Sequence, residues 1–167
     1  MSDADYPESV AEVLDDAMKF RPAALQAMRD FRDAKPWAGT IEERQEKFRV
    51  LNRALAAAYQ IAEPELAFEN LDGGSSGRSH YVRSSHRIVL VGKLSVVSYL
   101  HEFGHARGYG ERMACRWSIN LFKRIFPRRF SRLIQVGHML VHPRTIGRPS
   151  PSNPSSEGPT TPPTTDK

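Results

Sequence analysis

The sequence predicts an α+β fold with N-terminal helices, a small antiparallel sheet, one helix that carries the chemistry and basic C-terminal helices. Three observations predict it. Apolar residues recur at helical spacing through 10–59, β-prone runs follow at 79–83 and 87–91, and helical spacing returns after Ser95.

Taken in order, Ser9 and Glu12 have the spacing of a capping box. They predict a first helix whose Val10, Val13, Leu14 and Met18 form an apolar stripe that stops before Pro22. Pro22 suits the first turn of a second helix carrying Leu25, Met28 and Phe31, which Lys35, Pro36 and Gly39 break. Thr40 with Glu43 caps a third helix with Phe48, Leu51, Leu55 and Tyr59 on one face, and its alanine-rich stretch 54–58 permits close approach of another element. The period then changes: an apolar segment at 66–68, a turn at 72–77 and the two β-prone runs predict a small antiparallel sheet. The turn is glycine- and serine-rich but lacks the lysine of a phosphate-binding loop, so it reads as a surface turn. His80 and His86 in this region read as surface or hydrogen-bonded histidines rather than ligands. Ser95 caps the next helix, where Val96, Val97, Leu100 and Phe103 supply apolar contacts. Trp117, Leu121, Phe122 and Ile125 form the core face of a further helix whose other side carries Arg112, Arg116 and Lys123.

The 167 residues suit a single domain over 1–148, followed at 149–167 by a Pro/Ser/Thr-rich tail too poor in apolar residues to offset the entropy of ordering. No apolar run approaches bilayer-spanning length and the first residues are acidic, so a cytoplasmic protein with no membrane partner is the expectation. Cys115 is the only cysteine, which precludes an intrachain disulfide. The net charge of +5 hides an asymmetry: residues 1–72 hold 9 basic and 15 acidic side chains, whereas 107–148 hold 10 basic side chains against Glu111 alone. The cluster Lys123, Arg124, Arg128, Arg129 and Arg132 could face nucleic acid or an acidic partner, or could balance the acidic half. No aromatic-interleaved or groove-reading motif accompanies it, which favours the second reading.

The most informative motif is His101-Glu102-Phe103-Gly104-His105. Residues four apart share a helix face, so both imidazoles can reach one zinc ion while Glu102 projects beside them. The alternative makes His101 and His105 polar residues on a core helix, with Glu102 paired to an arginine such as Arg107. A catalytic zinc needs a third protein ligand. Glu111 is the first choice, because Gly108 can end the helix in a left-handed conformation and swing Glu111 back. His138 is the main competitor, with His142 and Cys115 behind it.

These residues resemble the zincin superfamily of metallopeptidases over about 79–127, where strand 87–91 and helix 95–107 look like that family's edge strand and active helix. The spacing from His101 to Glu111 is similar to the metzincin pattern, with Glu111 in place of the final histidine and only Met139 available for a methionine turn. Glu111, Ala114, Trp117, Ser118, Leu121 and Pro127 resemble instead the gluzincin-like ImmA/IrrE proteases, although the gap after His105 is shorter here. The resemblance implies a zinc metallopeptidase acting on a peptide or protein substrate, with Zn2+ on His101, His105 and Glu111, Glu102 as general base, and Tyr109 or His138 as oxyanion donor. The non-enzymatic alternative is a zinc-stabilised module, or a catalytically inactive zincin-like protein, whose basic helices contact nucleic acid or a protein partner.

Overall fold

Helix α1 (Pro22–Asp33) starts on Pro22 and α2 (Ile41–Tyr59) on Thr40 in the computed structural model, which describes residues 6–70 and 77–141. Both halves of the α2 capping box are closed: Glu43 N–H donates to the Thr40 hydroxyl at 3.2 Å and Thr40 N–H to the Glu43 carboxylate at 2.8 Å. There follow β1 (Glu65–Glu69), β2 (His80–Val82), β3 (Arg87–Val91), α3 (Val96–Ala106), α4 (Glu111–Ile125), the short α5 (Pro127–Phe130) and a hairpin of β4 (Ile134–Val136) and β5 (Met139–Val141). The architecture is α+β. No helix among the described residues is long and apolar enough to cross a membrane. His142, the tail at 149–167 and most of the turn at 72–77 lie outside the described residues.

The first helix expected from the sequence does not form. Val10–Glu12 make a single 3-10 turn, and the Ser9 side chain caps nothing. Tertiary partners take the polar groups a helix would use. Asn120 on α4 donates to the Val13 carbonyl at 2.7 Å and accepts from the Asp15 N–H at 2.8 Å, and Val10 N–H donates to the Gly137 carbonyl at 3.0 Å. Val10 and Val13 are buried against Cys115 and Ile119, so the apolar residues read as a stripe do reach a core, as an extended strap along α4.

The strap also accounts for much of the basic surface. Arg112 pairs with Glu12 at 3.2 Å, Arg116 with Asp15 at 2.7 Å and Lys123 with Asp16 at 2.8 Å, while Arg124 donates to the Asp16 and Met18 carbonyls. These bonds join the acidic N-terminal segment to the basic face of α4; of the cluster named from the sequence, Lys123 and Arg124 take part, and Arg128, Arg129 and Arg132 pair with no carboxylate among the described residues. The Arg116 guanidinium and the Ala17 N–H hold the Asp15 carboxyl below its usual range. A depressed carboxyl pKa contributes stability above the unfolded value, about 3.9, which is lost as pH falls through the folded value. Acidification below about pH 4 should therefore loosen the strap around Asp15 before α3 and α4 open. Amide hydrogen exchange at 10–18 compared with 99–121 checks this, and simultaneous loss of protection would contradict it.

The three-stranded sheet has the order β1-β3-β2. The expected antiparallel pairing joins β2 to β3, with Tyr81 opposite Ile88, whereas β1 lies parallel to β3, with Glu65 opposite Arg87. Alternation and turn residues report the local hairpin, closed here by the turn Arg83–Ser85 and His86 at φ 48°; they carry no signal for the side on which an earlier strand joins. The core lies between this sheet and α2, α3 and α4. Tyr99, Leu100 and Phe103 of α3 are fully buried against Phe48 and Leu55 of α2, Leu90 of β3 and Trp117 of α4. Each such side chain stabilises the fold by roughly 1.5–3 kcal/mol. The Tyr99 hydroxyl donates to Asn52 at 3.0 Å, and Asn52 in turn donates to the Pro64 carbonyl at 2.8 Å. That buried chain ties α3 to α2 and to the entry of β1, fixing the helix that bears the histidines.

Candidate metal centre

Helix α3 begins as predicted, with the Ser95 hydroxyl accepting from Ser98 N–H at 3.2 Å. Its end explains how Glu111 reaches the histidines. Gly108, at φ +94°, donates to the His105 carbonyl at 2.8 Å, and Tyr109 N–H donates to the Gly104 carbonyl at 3.0 Å. This pair of bonds is a Schellman motif and reverses the chain. Two residues later Glu111 opens α4 with its carboxylate facing back toward α3.

The closeness of α3 and α4 depends on Gly104. A Cβ placed there would lie 3.2 Å from both Cα and Cβ of Ala114. Backbone on that side cannot yield as a flexible side chain would. Gly104→Val should lower stability by about 1–3 kcal/mol through overpacking. It should also weaken divalent-metal binding, because it separates the helices whose approach assembles the cluster. Denaturant melts with metal titrations check both, and an unchanged metal affinity would show that the approach of the helices is dispensable.

His101 Nε2 lies 3.1 Å from His105 Nε2 and 3.1 Å from Glu111 Oε2, and His105 Nε2 lies 3.2 Å from Glu111 Oε1. Neighbouring donors in a tetrahedral zinc site with bonds of about 2.0–2.1 Å stand about 3.3–3.4 Å apart, so the three side chains are already near the required spacing. They form the metal-competent group found among the described residues. Their outer nitrogens are oriented as well. His105 Nδ1 donates to the Tyr109 carbonyl at 2.9 Å, which in the neutral ring leaves Nε2 unprotonated and aimed at the cluster. His101 Nδ1 faces Cys115 Sγ at 3.7 Å. Burial, then the neighbouring His105, lower the His101 pKa and favour the neutral, metal-ready imidazole, while Glu111 acts in the opposite sense. The donor set and spacing are those of a group able to hold a metal ion.

Glu102 stands apart from these three. It is 8 % exposed, and the Tyr81 backbone N–H on β2 is close enough to its carboxylate to favour the ionised form. Burial and the Glu111 carboxylate push its pKa up to about 8, with the Tyr81 N–H opposing. The pairing with Arg107 considered from the sequence is not made. The Arg107 guanidinium sits 3.5 Å from the Tyr59 ring centre and 4.7 Å from that of Tyr109, inside an aromatic cluster with Trp117.

The same cluster removes Tyr109 as an oxyanion donor: its ring packs against Trp117, and its contribution to the centre is the carbonyl that orients His105. His138 is not among the clustered ligand atoms. It packs at a tilt against Tyr6 with ring centres 4.7 Å apart and lines, with Tyr6, His101, Glu102 and Cys115, a cleft of about 430 Å³. Burial and Glu111 push the Cys115 thiol up to about 11, and its sulfur lies 3.7 Å from His101 Nδ1, outside the group of clustered ligand atoms. His80 binds the Arg78 carbonyl, and His86 is held by Tyr81 and the Ala62 carbonyl, so neither approaches the centre. Tyr6 is the member that sequence reasoning missed. Its hydroxyl faces Glu111, and burial followed by that carboxylate raises its pKa to about 12. Nothing local to Tyr6 marks it; only docking of the strap on α4 brings it to the cleft.

An α+β domain with a two-histidine, one-glutamate cluster and a separate buried glutamate is therefore the class that fold and site define. Comparison with family models, curated proteins and solved structures returns no match.

Proposed function

We propose that this protein is a zinc-dependent peptidase of the zincin kind, acting on peptide bonds in a cytoplasmic setting. The observation that carries the reading is Glu102, a buried carboxylate beside the three-donor cluster that is committed to none of its donors and opens on the cleft. His101, His105 and Glu111 would hold the metal. A zinc ion there supplies Lewis-acid polarisation of a carbonyl and of a water molecule, whose pKa in such sites falls to about 7. Glu102 takes the proton of the attacking water and passes it to the departing amine, and the nearby Tyr81 N–H favours the ionised carboxylate that the first transfer needs. Tyr6, protonated across the neutral range, and His138 offer hydrogens to the developing oxyanion at the mouth of the cleft.

The alternative of a structural metal with nucleic-acid-binding helices draws less support, because Arg112, Arg116 and Lys123 already pair with carboxylates of the same chain. The deciding experiment loads the full chain with zinc and follows cleavage of a mixed peptide pool by mass spectrometry. One zinc per chain, cleavage abolished by a chelator and its return on re-addition of zinc are expected. Stoichiometric zinc without cleavage of any peptide would sink the enzymatic reading.

A further inference from the structure

A second cavity, of about 500 Å³, adjoins the cleft of the metal centre. The two share Ser95, Val97, Leu140 and Val141 in their walls, so the N-terminus of α3 and strand β5 form the partition between them. Phe48, Phe126 and Leu133 give the second cavity an apolar interior, whereas Arg44, Lys93, Arg129 and Arg132 line it with positive charge. No aspartate or glutamate lines it, and among the described residues none of these four cations pairs with a carboxylate. Arg44 instead donates to the Pro36 carbonyl at 3.1 Å, and the Arg129 guanidinium carbon lies 3.5 Å from the centre of the Trp37 ring. On α4, by contrast, Arg112, Arg116 and Lys123 each pair with a carboxylate of the strap, and Arg124 donates to its carbonyls. Like charges gathered without a counter-charge around an apolar hollow are complementary to an anionic ligand with apolar side chains.

We propose that this cavity is a specificity subsite for acidic peptide segments carrying aromatic or aliphatic residues, positioned so that a chain held there continues into the cleft beside Glu102. The proposal rests on the peptidase reading for its occupant. The α3 N-terminus adds its partial positive charge at the junction between the two spaces. The chain that continues from Val141 is a poor occupant, since its nearest charged residues, Arg144 and Arg148, repeat the sign of the cavity.

The test uses full-length E102Q protein, so that cleavage does not intervene, and fluorescence anisotropy of a labelled decapeptide of glutamate and phenylalanine. Its control carries lysine in place of every glutamate. At low salt the acidic peptide should bind roughly tenfold more tightly than the control. Lys93 and Arg132 are exposed at the rim, where substitution leaves the core untouched. Neutralising both (K93Q with R132Q) should erase the preference, and reversing both (K93E with R132E) should invert it. Equal binding of the two peptides, or a preference that neither double variant moves, overturns the subsite. The zinc-loaded chain with Glu102 intact separates the two readings. An acidic peptide that binds but is never cleaved leaves the subsite standing and removes the peptidase; cleavage of both peptides with the same KM does the reverse.

Discussion

Replacing Glu102 with glutamine should lower kcat for peptide hydrolysis by about 10²–10⁴-fold, the usual contribution of a positioned general base, while zinc stays bound at one ion per chain. Activity and metal separate because Glu102 lies outside the cluster formed by His101, His105 and Glu111. Glutamine keeps an oxygen for the Tyr81 N–H and fills the same space, so what disappears is the capacity to take a proton. Undiminished turnover in this variant would assign the base elsewhere. A second consequence follows from burial. The Glu102 carboxyl is raised from 4.5 to about 8, so in the metal-free protein its ionised form is disfavoured by the fold. As pH rises above the unfolded value, about 4.3, the unfolded state ionises first, and the wild type is progressively destabilised until the folded carboxyl also ionises near 8. Glutamine has no such dependence. Metal-free E102Q should therefore match the wild type near pH 4 and exceed its stability at pH 9 by on the order of a few kcal/mol. Urea titrations at the two pH values measure the gap. It should narrow once zinc is bound, since a nearby cation favours the ionised carboxylate.

The physics that made parts of this molecule legible in sequence is local. Thr40 with Glu43, Pro22, and Ser95 each mark a helix start through a bond or a fixed φ within four residues, and α1, α2 and α3 begin where those residues place them. Gly108 was readable for the same reason: a left-handed turn needs glycine, and the turn carries Glu111 toward the histidines. Ser9 with Glu12 shows the limit of such reading. The spacing of a capping box is present, but Asn120, more than a hundred positions away, takes the backbone groups at Val13 and Asp15 that a helix would need. The parallel placement of β1 and the arrival of Tyr6 at the cleft fail for the same cause, each being set by docking of distant segments. The β4–β5 hairpin was missed too, its three-residue strands being too short to establish a period. Sequence thus exposed the turn that gathers His101, His105 and Glu111 and left the walls of the cleft unread.

Glu111→Ala carries the other large effect, an expected loss of zinc affinity on the order of 10³-fold from removal of one of three protein ligands. Glu111 contacts both histidines, its Oε2 at 3.1 Å from His101 Nε2 and its Oε1 at 3.2 Å from His105 Nε2, so no other side chain in the cluster can take its place without movement of α4. His138 and Cys115 are the two nearby candidates. His138 packs against the Tyr6 ring, and Cys115 lies behind His101 against Nδ1, the nitrogen turned away from the cluster. The same substitution removes the negative charge that helps raise Glu102, which should bring the Glu102 carboxyl down toward its ordinary range in the metal-free protein. Competition titration with a chromophoric chelator measures the affinity, and carboxyl chemical shifts followed against pH measure the titration. A variant that binds zinc as tightly as the wild type would exclude Glu111 as a ligand. A lowered Glu102 pKa in that same protein would still place the two carboxylates side by side, so the two readouts separate ligation from proximity.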